Sequence, residues 1–383
     1  MRGKTLAFLL LTLAIVTVAG VFLIRSRSYS PSDGPIGAPL LQDLRVNDIT
    51  AVQLKSAQGS AALTRKDDRW VVEDRHDYPA DFSKLSQMVR QLKDLKVGRQ
   101  FEGSEEILKR LELTDPGDLS AGEGQGGLRV LLKDKGGAVL ADIRLGKLRV
   151  PGDERGLPDG QYVRMGDDSS VFLVDRALNG YSSDPASWLE KKLIEVPAAD
   201  VKRISCTNAK GDVLYAFERT ELGKDFAPLV QIPKARDLDR GSLKRVSGGL
   251  SSLRLEDVAE GGQGFDEKAS LVLTYQLFSG MIYRVYPDTA CQNDNRCPIR
   301  IRAEYHPVAE SPGSKVEAAP TPDGKPSSSP APSPEEMASS AKSLNSRFTP
   351  WVFYLPKWQR DNFLTSLEQL LKKPEEKTPP KSQ

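Results

Sequence analysis

Residues 49–95 read ITAVQLKSAQGSAALTRKDDRWVVEDRHDYPADFSKLSQMVRQLKDL, and the order of signals within them sets the architecture. Ile49-Thr50-Ala51-Val52-Gln53-Leu54 alternates apolar and polar side chains, the period-2 pattern of a half-buried strand. Gln58-Gly59-Ser60 turns it, and Ala61-Ala62-Leu63-Thr64-Arg65 and Arg69-Trp70-Val71-Val72 follow as antiparallel strands. Tyr78-Pro79-Ala80-Asp81 then leads into a helix. Its apolar positions Phe82, Leu85, Met88, Val89, Leu92 and Leu95 recur every three or four residues and form one stripe. Asp81 is placed to cap it, and a second short helix is expected from Ser104.

The same grammar returns from Asp200. Val201-Lys202-Arg203-Ile204-Ser205-Cys206 matches the first strand, Lys210-Gly211-Asp212 its turn, and Val213–Glu218 the next strand. A helix from Arg240 carries Leu243, Val246, Leu250 and Leu253. The hairpin of Leu128–Leu132 and Val139–Ile143, turning at Lys135-Gly136-Gly137, has its counterpart in Ser270–Tyr275 and Met281–Tyr286. Because strands and helices come in separate runs, the pattern predicts an α+β fold: an N-terminal transmembrane helix followed by two tandem, internally repeated modules of antiparallel sheet plus helix.

The expected boundaries are a membrane anchor at 1–27, a linker at 28–43, a first module at 44–198, and a second module at 199–308 and 347–372. The Ser/Pro/Ala-rich insertion at 309–346 is expected to be disordered, since few large apolar side chains are present to offset the entropy of ordering it. The tail at 373–383 is expected to be loose.

Thr5 to Ile24 contains no charge, and twenty residues at 1.5 Å each are long enough to cross a hydrocarbon core about 30 Å thick. The run exceeds a signal-peptide core, and Val18-Ala19-Gly20 makes a poor cleavage site before Val21-Phe22-Leu23-Ile24. The expectation is contact with a lipid bilayer through residues 5–24, a single pass, and export of the bulk of the chain. Cys291 and Cys297 bracket five polar residues; in an oxidising compartment they are the disulfide candidate, with two separate loop thiols as the alternative. Cys206, in a strand-like run, reads as a small buried hydrophobe.

Composition excludes several functions. The 383 residues hold 54 Lys+Arg against 52 Asp+Glu, and four of the basic ones, Arg2, Lys4, Arg25 and Arg27, belong to the leader. The remainder lacks the basic excess a nucleic-acid partner requires. With only two histidines and three cysteines, no metal-ligand set can be assembled from the motifs. Gly122-Glu123-Gly124-Gln125-Gly126-Gly127 formally matches G-x-G-x-x-G, but it precedes a strand, where a phosphate cradle must open a helix. His76 and His306 read as solvated loop residues, and Asp67-Asp68 and Asp167-Asp168 as turn residues. Trp70, Trp188, Trp351 and Trp358 read as core or interface anchors. No catalytic, cofactor-binding or metal residue is assigned.

Trp70-Val71-Val72, Tyr78-Pro79-Ala80-Asp81, the Leu85/Val89/Leu92/Leu95 helix and Leu111-Glu112-Leu113-Thr114-Asp115-Pro116 resemble a family of bacterial envelope proteins, domain of unknown function 4340 (DUF4340). Leu145-Gly146, Gln161-Tyr162-Val163 and Trp188-Leu189 extend the resemblance. It implies an N-terminal membrane segment and partnership with ABC-type transport systems related to gliding-motility auxiliary components, with no catalytic set to carry over. The expected function is therefore a non-enzymatic, membrane-anchored periplasmic accessory protein that binds envelope partners. The alternative is a module binding a small molecule or glycan in the cleft between the two repeats.

Overall fold

The computed structural model describes residues 36–116, 127–150, 157–232, 236–261, 265, 267, 270–293, 296–307 and 333–372. The chain divides into two compact units. One comprises the described residues through Trp70 together with Phe82–Pro185, the other Val71–Asp81 together with the described residues from Ala186 on. Residues 71–81, which the sequence pattern puts in the first module, thus group with the second unit.

In chain order the first half provides β1 (Ala51–Ser56), β2 (Gly59–Lys66), β3 (Arg69–Val72), β4 (Tyr78–Pro79), α1 (Phe82–Lys93), β5 (Val97–Glu102), α2 (Glu105–Arg110), β6 (Leu128–Lys133), β7 (Val139–Arg149), β8 (Gly160–Met165) and β9 (Ser170–Val174). The first unit's strands run β2-β1-β6-β7-β8-β9-β5, each neighbour antiparallel to the next. Alternation on β1 leaves Val52 and Leu54 fully buried opposite Leu63 and Ala61 of β2. On α1, Leu85, Met88, Val89 and Leu92 are buried, but Phe82 is 61% exposed and lies off the stripe. Ser104 caps α2, its hydroxyl accepting from the Ile107 N–H.

The second half provides β10 (Lys192–Ile194), β11 (Val201–Thr207), β12 (Val213–Glu218), β13 (Ala227–Pro228), α3 (Arg240–Ser247), β14 (Leu253–Arg254), β15 (Asp257–Glu260), β16 (Val272–Leu277), β17 (Met281–Pro287), β18 (Cys297–Tyr305), α4 (Pro334–Phe348), β19 (Trp351–Leu355) and α5 (Lys357–Arg360). Its main sheet runs β13-β12-β11-β16-β17-β18-β19-β15, again antiparallel. Strand for strand, β12-β11-β16-β17-β18-β19-β15 repeats the order of the first unit, with α1 and α3 at equivalent points of the chain. Tyr215, Phe217, Tyr275, Phe353 and Phe363 are fully buried in this unit, and the Tyr275 hydroxyl donates to the Val246 carbonyl of α3 at 2.8 Å.

Three expectations need correcting. The α+β class gives way to a mostly antiparallel-sheet structure, 39% strand and 23% helix among the described residues. No described helix is long and apolar enough to cross a membrane, and the longest, α4, has 15 residues. The physical reason is that periodicity locates helices without weighing them: α2 and α5 have only six and four residues, while β5 and β18 add strands. The apolar stretch 5–24 lies outside the described residues.

Secondly, the insertion at 309–346 is not structureless throughout. From Pro334 the chain is helical, started by a capping box in which the Ser333 hydroxyl accepts from the Glu336 N–H and the Glu336 carboxylate accepts from the Ser333 N–H. Ala341 and Phe348 bury its inner face. Composition alone hides such a local start signal. Thirdly, part of the linker at 28–43 is docked: the Gly37 and Leu40 N–H groups donate to the carbonyls of Val97 and Leu95. Residues 308–332 and the tail from 373 lie outside the described residues.

Candidate functional site

Cys291 and Cys297 form a disulfide that closes the connection between β17 and β18. The loop is folded on itself, with Gln292 N–H donating to the Arg296 carbonyl at 2.9 Å and Arg296 N–H to the Asn293 carbonyl at 3.1 Å. Two arginines fix its ends. Arg360, 4% exposed on α5, donates through Nη1 to the carbonyls of Asp288 and Thr289, each at 2.9 Å, and its Nη2 lies 2.9 Å from Cys291 Sγ. Arg296, inside the loop, stacks its guanidinium 4.5 Å above the Tyr354 ring and pairs with Asp257.

Asp257 is the centre of this corner. It is 4% exposed, at the start of β15, and its carboxylate accepts from Arg75 Nε at 2.6 Å, Arg75 Nη2 at 3.2 Å and Arg296. Burial by itself would push this carboxyl up. The Arg75 guanidinium, the Val258 N–H and the Arg296 guanidinium outweigh that and hold it below the ordinary carboxylate range. Arg75 arrives on residues 71–81, which are seated further by Tyr78 standing edge-on to Trp351 at 5.1 Å. A cavity of about 250 Å³ opens beside the disulfide, bounded by Glu260, Phe265, Asp288, Cys291, Gln292 and Tyr354.

The other residues singled out in the sequence are dispersed. His76 is exposed, in the left-handed region (φ 55°), with Nδ1 3.3 Å from Glu260 Oε2. His306 is exposed, 3.8 Å from Glu304. Asp67 and Asp68 are consecutive left-handed turn residues. Asp167 pairs with Arg144 at 2.8 Å, and the Asp168 carboxylate accepts from the Ser170 N–H at 3.2 Å. Trp188 is fully buried, whereas Trp358 is 68% exposed. Cys206 is a free buried thiol, pushed up to about 11 by burial. Of the glycine motif only Gly127 is described: a Cβ there would fall 2.2 Å from the Leu145 carbonyl and 2.3 Å from that of Glu112. Close backbone approach requires that glycine. Among the described residues no group of three or more His, Cys, Asp or Glu could hold a metal ion.

Sequence reasoning missed a ladder of arginines. Arg129, Arg144 and Arg164 stand opposite one another across β6, β7 and β8. Arg144 is 2% exposed and shares Asp115 with Arg129, while Asp142 takes Arg129 in a bidentate pair. In the second unit Arg284 and Arg302 oppose each other at the equivalent register of β17 and β18, paired to Glu304 and Glu267. The signal was available as an arginine in mid-strand on each of three successive strands. Arg129, Arg144, Arg284 and Arg302 are held in ion pairs, while Arg164 donates to the carbonyls of Leu113, Asp167 and Asp168, the pattern of groups that hold a sheet face together.

The fold defines the class: a duplicated, all-antiparallel sheet protein whose second sheet carries a disulfide-closed hairpin. The chain matches the family model described as Domain of unknown function (DUF4340) over residues 70–273, and it belongs to that family. No curated protein and no solved structure matches the chain.

Proposed function

We propose that this chain is a non-enzymatic accessory protein that works in the periplasm by contact with other envelope proteins, such as components of an ABC-type transport system. The observation that carries the reading is the Cys291–Cys297 disulfide, because reducing compartments keep such thiols apart. Its loop is held by Arg296 on Asp257 and by Arg360 on the Asp288 and Thr289 carbonyls, so the closed form is integral to the packing of β18 and β19. Supporting the contact role, Asp257 is spent on pairing with Arg75 and Arg296, and Arg129 and Arg144 of the ladder on Asp115, Asp142 and Asp167.

Thiol counting tests the compartment. Cells are quenched in acid, denatured and treated with a maleimide polymer. One adduct is expected, on Cys206, rising to three after reduction. Three adducts without reduction would overturn the proposal. Crosslinking in intact cells then tests the contact role: envelope proteins should be recovered with this chain, and their absence counts against it.

A further inference from the structure

In the second unit a groove of about 1170 Å³ lies between the end of β12 and the first turns of α3. That volume exceeds the few hundred to about 1,000 Å³ of a typical small-ligand pocket, so it suits an extended occupant. Six cationic side chains line it, Arg219, Lys224, Arg236, Arg240, Lys244 and Lys372, together with the carboxylates of Asp225, Asp237 and Asp239, while Glu221 and Glu368 at its margin pair with Lys224 and Arg236.

The carboxylates are poor competitors for these cations. Asp239 is committed to capping α3: the Ser242 and Gly241 N–H groups and the Ser242 hydroxyl donate to it and hold it below the ordinary carboxylate range. Asp225 with Arg240 (3.2 Å) and Asp237 with Lys372 (3.1 Å) are pairs between well-exposed side chains, which contribute little and exchange readily. Arg219 is 6% exposed, stacks 4.1 Å from the Phe226 ring and donates only to the carbonyls of Val201, Ala198 and Lys224. Neither Arg219 nor Lys244 has an ion pair among the described residues. The positive end of α3 opens into the same space.

We propose that this groove binds an extended ligand bearing two or more phosphate or carboxylate groups. The ligand's acids would displace Asp225 and Asp237 from Arg240 and Lys372 and engage Lys244. Arg219, already fixed by backbone carbonyls, supplies a standing positive potential at the floor.

Titration calorimetry of the full chain with tripolyphosphate and, separately, citrate tests this. Saturable binding by at least one probe is expected, weakening with added salt. The double reversal Arg240→Glu with Lys244→Glu should weaken it by about tenfold or more. A matched reversal on exposed residues of the first unit, Lys55→Glu with Lys93→Glu, should change it by less than about twofold. Circular dichroism of each variant confirms that it is folded. Failure of both probes to bind, or equal weakening by the two reversals, overturns the proposal. Either result leaves the compartment reading intact, because that rests on thiol counting.

Discussion

Asp257 concentrates more consequence than any other side chain described here. It joins Arg75, far upstream in the chain, to Arg296 of the disulfide loop, and it is nearly dry. Replacing it by asparagine leaves two guanidiniums facing a neutral amide, so Asp257→Asn is expected to cost about 2–3 kcal/mol of unfolding free energy at pH 7, measured by urea titration. The pH dependence has a definite sign. A carboxyl held below its unfolded value stabilises fully above that value, about 3.9, and loses its contribution as the pH falls through the folded one. The gap between wild type and Asp257→Asn should therefore be constant from neutrality down to about pH 5 and shrink below about pH 4. A gap that widened on acidification would contradict the assignment.

The helix α4 shows what a single start signal does. Its surroundings in sequence are rich in Ser, Pro and Ala, yet Ser333 and Glu336 satisfy each other's backbone groups, and Pro334 takes the first-turn position where a missing N–H costs nothing. The inner face contributes Ala341 and Phe348, the latter edge-on to Phe353 of β19 at 6.0 Å, while Asn345 brackets the Ala303 backbone of β18 through its amide. Ser333→Ala is expected to cost about 1 kcal/mol. The loss should be local: amide exchange should quicken at Glu336 and Met337, whose N–H groups bond to Ser333, before it does at Phe348.

Over the whole molecule, sequence order and structural membership part company at residues 71–81. These residues follow the first repeat's hairpin in the chain but belong to the second unit, seated by Arg75 on Asp257 and Tyr78 on Trp351. Tyr78 is 5% exposed, and Tyr78→Ala removes a buried ring at a cost of about 3 kcal/mol. Hydrogen exchange should place that loss in β15 and β19 and leave β6–β8 protected. The reverse pattern would mean that the segment serves the first repeat alone.

Alternation, turn chemistry and three-to-four spacing were sufficient to mark β1, β2, β3, β6, β7, β11, β12, β16, β17, α1 and α3, because each is a property of neighbours in the chain. The same local signals placed Cys291 and Cys297 close enough to be considered together. They did not reveal β18, although Ile299, Ile301 and Ala303 alternate with Arg300, Arg302 and Glu304, because the flanking cysteines and polar residues suggested a loop. Nor could they show that Arg75 meets Asp257 across 182 positions, that Arg360 holds the disulfide loop, or that six cations surround one groove. The strands and their repetition are determined by sequence because hydrophobic periodicity acts over a few residues. The partners of each charge were decided only by tertiary structure, because burial makes a pairing decisive and burial exists only once the sheets have assembled.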